Sequence, residues 1–134
     1  MNIFDLKDQY QNNSKKINNA ITEVLKHQKF INGPEVKQFE DLLAEYTQSK
    51  YVLSCGNGTD ALTITSKMLN LSNDEVVLVP AFSYIASADA FLFLNNNVCF
   101  VDVSPQSYNI CPNSLKATIN TLKKNKKKPK VLVI

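Results

Sequence analysis

The stretch most informative about the fold is Tyr51-Val-Leu-Ser-Cys-Gly-Asn-Gly-Thr-Asp-Ala-Leu62. Its first three residues are β-prone, and Gly56 and Gly58 allow the backbone to turn sharply and to lie close to a ligand. Thr59 and Asp60 then begin an amphipathic helix. Free N–H groups at the start of a helix, beside a hydroxyl side chain, form a binding site for phosphate. The stretch therefore predicts a strand, a phosphate-binding turn and a helix.

Three classes of phosphate-binding glycine turn compete for this pattern. A P-loop is excluded because no Lys follows Gly58. The dinucleotide fingerprint Gly-x-Gly-x-x-Ala fits the spacing, but it also requires an acid at the end of the next strand, and Glu75 stands at the start of that strand. The third class binds a small phosphorylated cofactor, with a hydroxyl on its phosphate and an aromatic side chain on its ring. An NAD-binding βαβ domain stays open as an alternative.

The hydrophobic pattern of the whole chain predicts two helices followed by alternating strands and helices. This alternation is typical of an α/β fold with a mainly parallel sheet and flanking helices. Ligands bind beyond the carboxyl ends of such strands, where the glycine turn, the segment 80–84 and Asp102 all lie. The almost wholly apolar helix at 83–94 is predicted to be buried on most sides. The predicted helices are 15–27, 34–46, 59–69, 83–94 and 113–122, and the predicted strands are 51–53, 75–79, 98–103 and 130–134.

The composition is that of an ordinary globular protein. Its 134 residues, 44% hydrophobic and 20% charged, suffice for one modest domain with a core. No apolar run is long enough to span a bilayer, and acids near the start disfavour an export signal, so we expect a cytoplasmic protein without membrane contact. Cys55, Cys99 and Cys111 match no zinc spacing, so we expect reduced thiols and no metal site.

Positive charge is concentrated in one segment. All 15 basic residues are Lys, and six of them lie between Lys123 and Lys130, which leaves nine Lys against twelve acids in the rest of the chain. Without Arg or interleaved aromatics, this Lys-rich segment is predicted to be a solvated loop rather than a nucleic-acid site. His27, the only histidine, is predicted to lie at the surface without a catalytic role. Asp102 is predicted to cap a turn or a helix.

Five segments occur in a characteristic order along the chain. They are Phe30-Ile-Asn-Gly-Pro-Glu-Val36, Phe39-Glu40, Gly56-Asn-Gly-Thr-Asp-Ala-Leu62, Glu75-Val-Val-Leu-Val-Pro-Ala-Phe-Ser-Tyr84 and Phe100-Val-Asp102. Together they resemble the DegT/DnrJ/EryC1/StrS family of pyridoxal-phosphate-dependent sugar aminotransferases. The resemblance extends from about Phe4 to the last residue, and it is specific because all five segments occur in register.

The resemblance implies the large domain of a fold-type I aminotransferase, with pyridoxal 5'-phosphate (PLP) as its cofactor. In that family the amino donor is usually glutamate, the acceptor is a nucleotide-linked keto-sugar, and the active sites lie at the interface of a homodimer. Residues 1–33 would form a helical arm and entrance loop, and residues 34–134 the amino-terminal, incomplete part of the large domain. A non-catalytic remnant of this fold with a regulatory use is an alternative.

The family pattern also implies roles for the residues around the cofactor. Gly58 and Thr59 would hold the cofactor phosphate through backbone N–H groups and a hydroxyl, with Asp60 shaping the turn. Tyr84 would stack on the pyridine ring, although a place in the core is an alternative for this side chain. Ser83 would neighbour the ring and contact the substrate.

The remaining roles concern the substrate and the reaction itself. Ile31 and Gly33 belong to the segment Phe30–Gly33 that would line the substrate entrance. The family's cofactor-bonding Lys and the acid on the pyridine nitrogen both follow a strand like 131–134. We therefore expect no catalytic residue within this chain and no transamination by the chain alone.

Overall fold

The computed structural model describes residues 5–134 of the chain. Phe4, at which the resemblance begins, and the three residues before it lie outside the described residues. The described part divides into two compact units, the first ending at Ser54 and the second comprising Cys55–Ile134. The predicted division after residue 33 concerns functional parts of the chain, and it stays a prediction.

The first unit contains two helices, α1 (Lys7–His27) and α2 (Pro34–Thr47). Helix α1 begins at Lys7, well before the predicted residue 15. Its first two turns are polar and show no apolar spacing, so the hydrophobic pattern does not reveal them. Local hydrogen bonds stabilise them: Asp5 Oδ1 accepts from the N–H of Lys7 at 2.9 Å, and the Asn13 amide donates to the Gln9 carbonyl at 2.9 Å. Helix α2 begins as predicted, with Pro34 at a position where a missing N–H costs nothing.

His27 joins the end of α1 to the start of α2. Its Nε2 lies 2.8 Å from Glu35 Oε1, and its Nδ1 accepts from the N–H of Lys29 at 3.0 Å. Because Nδ1 accepts, the ring proton is on Nε2, which donates to the carboxylate. This hydrogen bond lowers the pKa of Glu35 below its ordinary value. His27 is half-buried rather than freely exposed, and its contacts give it a structural role.

The second unit is a three-stranded parallel sheet with three helices. The strands β1 (Glu75–Pro80), β2 (Asn97–Val101) and β3 (Lys128–Leu132) lie in the order β2-β1-β3. The helices are α3 (Gly58–Leu69), α4 (Ala86–Leu92) and α5 (Pro112–Lys124). The predicted α/β fold with a parallel sheet and flanking helices is confirmed.

The core lies on both faces of the central strand β1. Val77 and Val79 pack with α4 on one face, chiefly against Ala90 and Phe91. Val76 and Leu78 point to the other face and pack with Val101 and the apolar side of α5. Alternate side chains of a strand point to opposite faces, so a continuous apolar run marks a strand that is buried on both.

Besides α1 and a shift of β3 by two residues, two predicted elements differ from the structure. Residues 51–53 form no strand; instead, the next residue, Ser54, donates its N–H and hydroxyl to Glu40 Oε1 at 2.8 and 2.6 Å. A β-prone sequence forms a strand only where it finds a partner. Helix α4 is shorter than the predicted 83–94. It is buried on most sides as predicted, since Ala86, Ala88, Ala90 and Phe91 are buried and Leu92 is its one exposed residue.

The Lys-rich segment is not the solvated loop that its composition predicts. It spans the end of α5 and most of β3. Lys128 Nζ lies 2.7 Å from Asp74 Oδ2, and Lys130 Nζ lies 3.1 Å from Glu75 Oε1. Parallel pairing sets the start of β3 beside the start of β1, which brings these charges together. Lys128, and then the Ser72 hydroxyl, lower the pKa of Asp74 to about 2.

Two classes of site find no candidate among residues 5–134. None of the described helices is long and apolar enough to cross a membrane. No group of three or more His, Cys, Asp or Glu side chains in the same part of the chain could hold a metal ion. All three cysteines are free thiols.

Candidate functional site

The start of α3 leaves two backbone N–H groups available to a ligand. Asn57 caps the helix: its Oδ1 accepts from the N–H of Asp60 at 2.8 Å, and its carbonyl accepts from the N–H of Ala61 at 3.1 Å. The N–H groups of Gly58 and Thr59 have no acceptor among the described residues. Unpaired N–H groups at a helix start attract an anion.

Packing within the chain explains the glycine at position 56 but not the one at position 58. Neither has a positive φ, so the turn does not require a left-handed glycine. A Cβ at Gly56 would lie 2.6 Å from Asp60 Oδ2, a position that the chain itself occupies. A Cβ at Gly58 would meet no atom within 4 Å. The space over Gly58 is therefore open to a ligand, and the chain's own packing does not explain the glycine.

Thr59 and Asp60 complete the turn in different ways. The Thr59 hydroxyl makes no hydrogen bond within the part of the chain that the structure describes, although the Thr59 carbonyl accepts from Thr63 Oγ1 at 2.9 Å. The Asp60 carboxylate accepts from Asn57 Nδ2 at 3.1 Å. Asp60 thus holds the capping residue in place, while the Thr59 hydroxyl is free to donate.

The segment that follows β1, residues 81–85, is exposed throughout. The N–H of Ala81 donates to the Val101 carbonyl at 2.8 Å and ties the segment to β2. Ser83 Oγ lies 2.9 Å from Ser87 Oγ. Tyr84 is 77% exposed, so it is not a core aromatic within this chain. Its ring face is available to a ligand.

The turn before α3 and the segment before α4 lie on the same side of the second unit. Helices α3 and α4 pack together, and Asn96 Nδ2 just after α4 donates to Ser66 Oγ in α3 at 3.2 Å. Their carboxyl ends are therefore neighbours, and their amino ends point to the same side. That side is the carboxyl end of β1, because α4 follows β1 directly. Ligands of parallel sheets bind at this end.

The two predicted entrance residues belong to the first unit. Ile31 is 89% exposed in the connection between α1 and α2. Gly33 is buried, and a Cβ there would lie 2.4 Å from the Lys29 carbonyl oxygen. Close packing within this connection is therefore enough to explain the glycine.

Glu75 has no free carboxylate for a dinucleotide ribose. Its Oε2 accepts from the N–H of Ser72 at 3.0 Å, and its Oε1 pairs with Lys130. These contacts lower the pKa of Glu75, the Ser72 N–H most strongly and then Lys130. Glu75 also stands at the amino end of β1, away from the candidate site. This arrangement does not fit the NAD alternative.

Sequence reasoning missed Tyr108 on the same side of the sheet. The rings of Phe82 and Tyr108 lie 5.6 Å apart between centroids and are tilted by 40°. Beside them is a cleft of about 280 Å³, lined also by Pro80 and Ile110. Tyr108 follows a strand by several residues, and no spacing rule connects it with Phe82. Only the three-dimensional structure identifies the pair.

Comparisons with known proteins agree with this fold. Residues 11–126 match the sequence profile of the DegT/DnrJ/EryC1/StrS aminotransferase family. The UDP-2-acetamido-2-deoxy-3-oxo-D-glucuronate aminotransferase of Pseudomonas aeruginosa is 41% identical over 115 residues, 86% of this chain and 32% of the relative. The pleiotropic regulatory protein of Geobacillus stearothermophilus is 31% identical over 117 residues, 87% of this chain and 32% of the relative. The chain spans about a third of the length of these curated relatives.

Solved structures show the same similarity. A DegT DnrJ EryC1 StrS aminotransferase from Brucella abortus has a TM-score of 0.87 at 35% identity, covering 98% of this chain and 36% of that one. NtdA from Bacillus subtilis, with bound cofactor PMP, has a TM-score of 0.72 at 35% identity, covering 79% and 24%. PLP and its amine form PMP are one cofactor, so the predicted cofactor is confirmed for the family. This chain belongs to the DegT/DnrJ/EryC1/StrS aminotransferase family.

Proposed function

We propose that this chain forms the amino-terminal part of a PLP-dependent aminotransferase that acts on a nucleotide-linked keto-sugar. The supporting observation is the pair of unpaired N–H groups at Gly58 and Thr59, on the same side of the sheet as the exposed ring of Tyr84. Residues 1–33 are the proposed arm and entrance loop. Residues 34–134 are the proposed part of the large domain.

In this proposal the residues of the chain bind and orient the cofactor. The N–H groups of Gly58 and Thr59 and the Thr59 hydroxyl donate to the phosphate, whose negative charge is favoured at the start of a helix. Asp60 keeps Asn57 in its capping position and so fixes the turn. The face of Tyr84 packs on the pyridine ring, and the contact excludes water from that side. Ser83 lies next to the ring and contacts the substrate.

The cofactor supplies the electron sink for the reaction when it is bound. The chemistry also requires a Lys and an acid, which the family resemblance places outside these 134 residues. This chain therefore contributes binding residues and no catalytic residue. The reading frame beyond the codon for Ile134 tests this directly: an Asp and then a Lys in the continuation would support the proposal, and a stop codon would contradict it.

The relatives guide the choice of substrates. The Pseudomonas relative is named as an aminotransferase of a UDP-linked 3-oxo sugar, so a UDP-linked 3-keto-sugar is the first acceptor to test, with glutamate as the amino donor. Ile31 and Gly33 are the residues that we propose to line the entrance for this substrate. The working protein is proposed to be a cytoplasmic homodimer.

The phosphate site can be tested with a matched pair of variants in the full-length protein. Thr59→Val removes the free hydroxyl, whereas Thr65→Val on the same helix removes a hydroxyl that bonds the Ala61 carbonyl. We expect Thr59→Val to weaken PLP binding by about tenfold to a hundredfold, because a hydrogen bond to a charged group is worth about 1.5–3 kcal/mol. Thr65→Val should leave the affinity unchanged.

Pyridoxal, which lacks the phosphate, is the control ligand for this experiment. Equilibrium dialysis measures the affinity for both ligands. The affinity for pyridoxal should be equal in the parent, Thr59→Val and Thr65→Val proteins. If the Thr59→Val protein binds PLP with the affinity of the parent, the proposed contact between Thr59 and the phosphate is wrong.

A regulatory protein without catalysis is the second candidate, and the name of the Geobacillus relative favours it. Such a protein would bind PLP but would not exchange amino groups between glutamate and a keto-sugar. Measuring the conversion of glutamate to 2-oxoglutarate in the presence of the UDP-linked keto-sugar separates the two candidates.

A further inference from the structure

The connection between β2 and α5 forms a closed loop, residues 102–111. An isolated antiparallel bridge joins Val103 to Ile110, and the N–H of Cys111 donates to the Asp102 carbonyl at 2.9 Å. Asp102 Oδ1 also accepts from the N–H of Val103 at 2.9 Å, and so it stabilises the start of the loop rather than the start of α5, whose N-cap position is Cys111. The 102–111 loop is therefore fixed at its base by its own hydrogen bonds.

Tyr108 directly follows the turn at residues 105–107 of the 102–111 loop and has a positive φ. Its φ is +59°, in the left-handed region that disfavours every residue except Gly, Asn and Asp. The N–H of Tyr108 donates to the Ser104 carbonyl at 2.8 Å, which holds the backbone in this conformation. The same backbone region is adopted by Gln28, Gln48 and Lys126. A role for Tyr108 therefore depends on the contact of its ring and not on its φ. The ring contact of Tyr108 is with Phe82.

Phe82 belongs to the segment that carries the proposed ring-binding side chain. The segment 81–85 is exposed throughout, and the N–H of Ala81 bonded to Val101 is its tie to the sheet. Beyond that point, the Tyr84 carbonyl accepts from the N–H of Ser87 at 3.0 Å, which ties the end of the segment to α4, and the Phe82 ring contacts Tyr108. Phe82 precedes Tyr84 by two residues, so its ring contact lies next to the backbone that carries Tyr84.

We propose that Tyr108 is a positioning residue for the cofactor site: its ring holds Phe82, and through Phe82 it sets the place and tilt of Tyr84. The inference rests on the proposed function, because it presumes that Tyr84 packs on the cofactor ring. Tyr108 does not touch the cofactor in this arrangement. It acts through the aromatic contact alone.

The test uses the full-length protein with PLP bound and measures the circular dichroism of the cofactor band, which reports the asymmetry around the ring. Tyr108→Leu should change the size of this band and weaken PLP affinity about threefold to tenfold, since an aromatic pair is worth that much in binding. Tyr108→Phe keeps the ring and should restore both quantities. A general loss of stability would not depend on whether residue 108 keeps an aromatic ring. Recovery of both quantities in Tyr108→Phe would therefore assign the effect to the ring.

Phe82→Leu provides the coupling test. If Tyr108 acts through Phe82, the double variant should lose no more affinity than either single variant. Additive losses, or a Tyr108→Leu protein with the parent's affinity and band, would overturn the inference.

Tyr84→Leu separates this inference from the function that it presumes. Weaker PLP binding in Tyr84→Leu together with parental binding in Tyr108→Leu would overturn the inference alone. Parental PLP binding and an unchanged band in Tyr84→Leu would overturn both.

Discussion

Strand β1 and the segment that follows it, residues 81–85, are adjacent in sequence and opposite in environment. Val76 to Val79 are each at most 3% exposed, whereas every residue from 81 to 85 is exposed. Both stretches are rich in apolar side chains. The strand is covered because β2 and β3 flank it and helices cover its faces.

The difference indicates that the residues that stabilise the second unit are separate from the neighbouring residues that we propose to bind the cofactor. The side chains of β1 form the core on which the second unit depends. The rings of Phe82 and Tyr84 are exposed and contribute little to that core, so they can contact other side chains of the surface or a ligand. Substitutions on the two sides of Pro80 should therefore have different kinds of effect.

The largest expected effect comes from the buried strand. Val77→Ala should lower the free energy of unfolding by about 2–3 kcal/mol, because it removes two buried methyl groups and leaves a cavity. Tyr84→Ala should change it by no more than about 0.5 kcal/mol, as exposed positions generally do. Urea unfolding monitored by far-UV circular dichroism measures both. A comparable loss in the two variants would break the comparison.

The two glycines of the turn sharpen the comparison at the start of α3. Gly56→Ala should cost about 1 kcal/mol, because the new Cβ displaces the Asp60 carboxylate from the capping residue. Gly58→Ala should leave the unfolding free energy unchanged or raise it by a few tenths of a kcal/mol, since alanine favours a helix. Thermal unfolding of both variants is the measurement, and the reverse order would contradict the assigned packing.

The smallest expected effect concerns Asp74, which lies just before the amino end of β1 and away from the candidate site. The pKa of Asp74 is lowered to about 2 in the folded chain, so its folded form binds fewer protons than the unfolded form. The ion pair with Lys128 therefore stabilises the fold above the ordinary Asp pKa of about 4, and this contribution disappears as the pH falls from about 4 to 2. Asp74→Asn should be less stable than the parent at neutral pH.

Urea midpoints over a pH series check this prediction. The gap between the parent and Asp74→Asn should close as the pH approaches 2, and Lys128→Gln should behave in the same way. Lys124→Gln is the control, because Lys124 makes no ion pair among the described residues. A gap that is constant with pH would contradict the ion-pair explanation.

The sequence predicts the elements that depend on local pattern. The apolar run at 75–79 identifies β1, and its alternation with helices identifies a parallel sheet. Pro34 marks the start of α2. Each of these features depends on neighbours in the sequence, so a local rule can detect it.

Features that depend on distant partners are not predictable in this way. Residues 51–53 have the side chains of a strand, but the structure ties the following residue to the Glu40 carboxylate. Lys128 and Lys130 read as a charged loop until their register beside Asp74 and Glu75 is known. The contact between Phe82 and Tyr108 joins residues separated by a helix and a strand. The roles of Gly58, Thr59 and Tyr84 come from the family resemblance, and the structure adds their open surroundings.

The order β2-β1-β3 leaves one free edge on each outer strand within residues 5–134. On β3, Pro129 lacks an N–H, and Lys128 and Lys130 are charged, so another strand would pair poorly with this edge. Strand β2 has the sequence Asn97-Val-Cys-Phe-Val101, with neither charge nor proline. We therefore expect edge-to-edge pairing with a further strand to take place at β2 rather than at β3, and Phe100→Lys to oppose it.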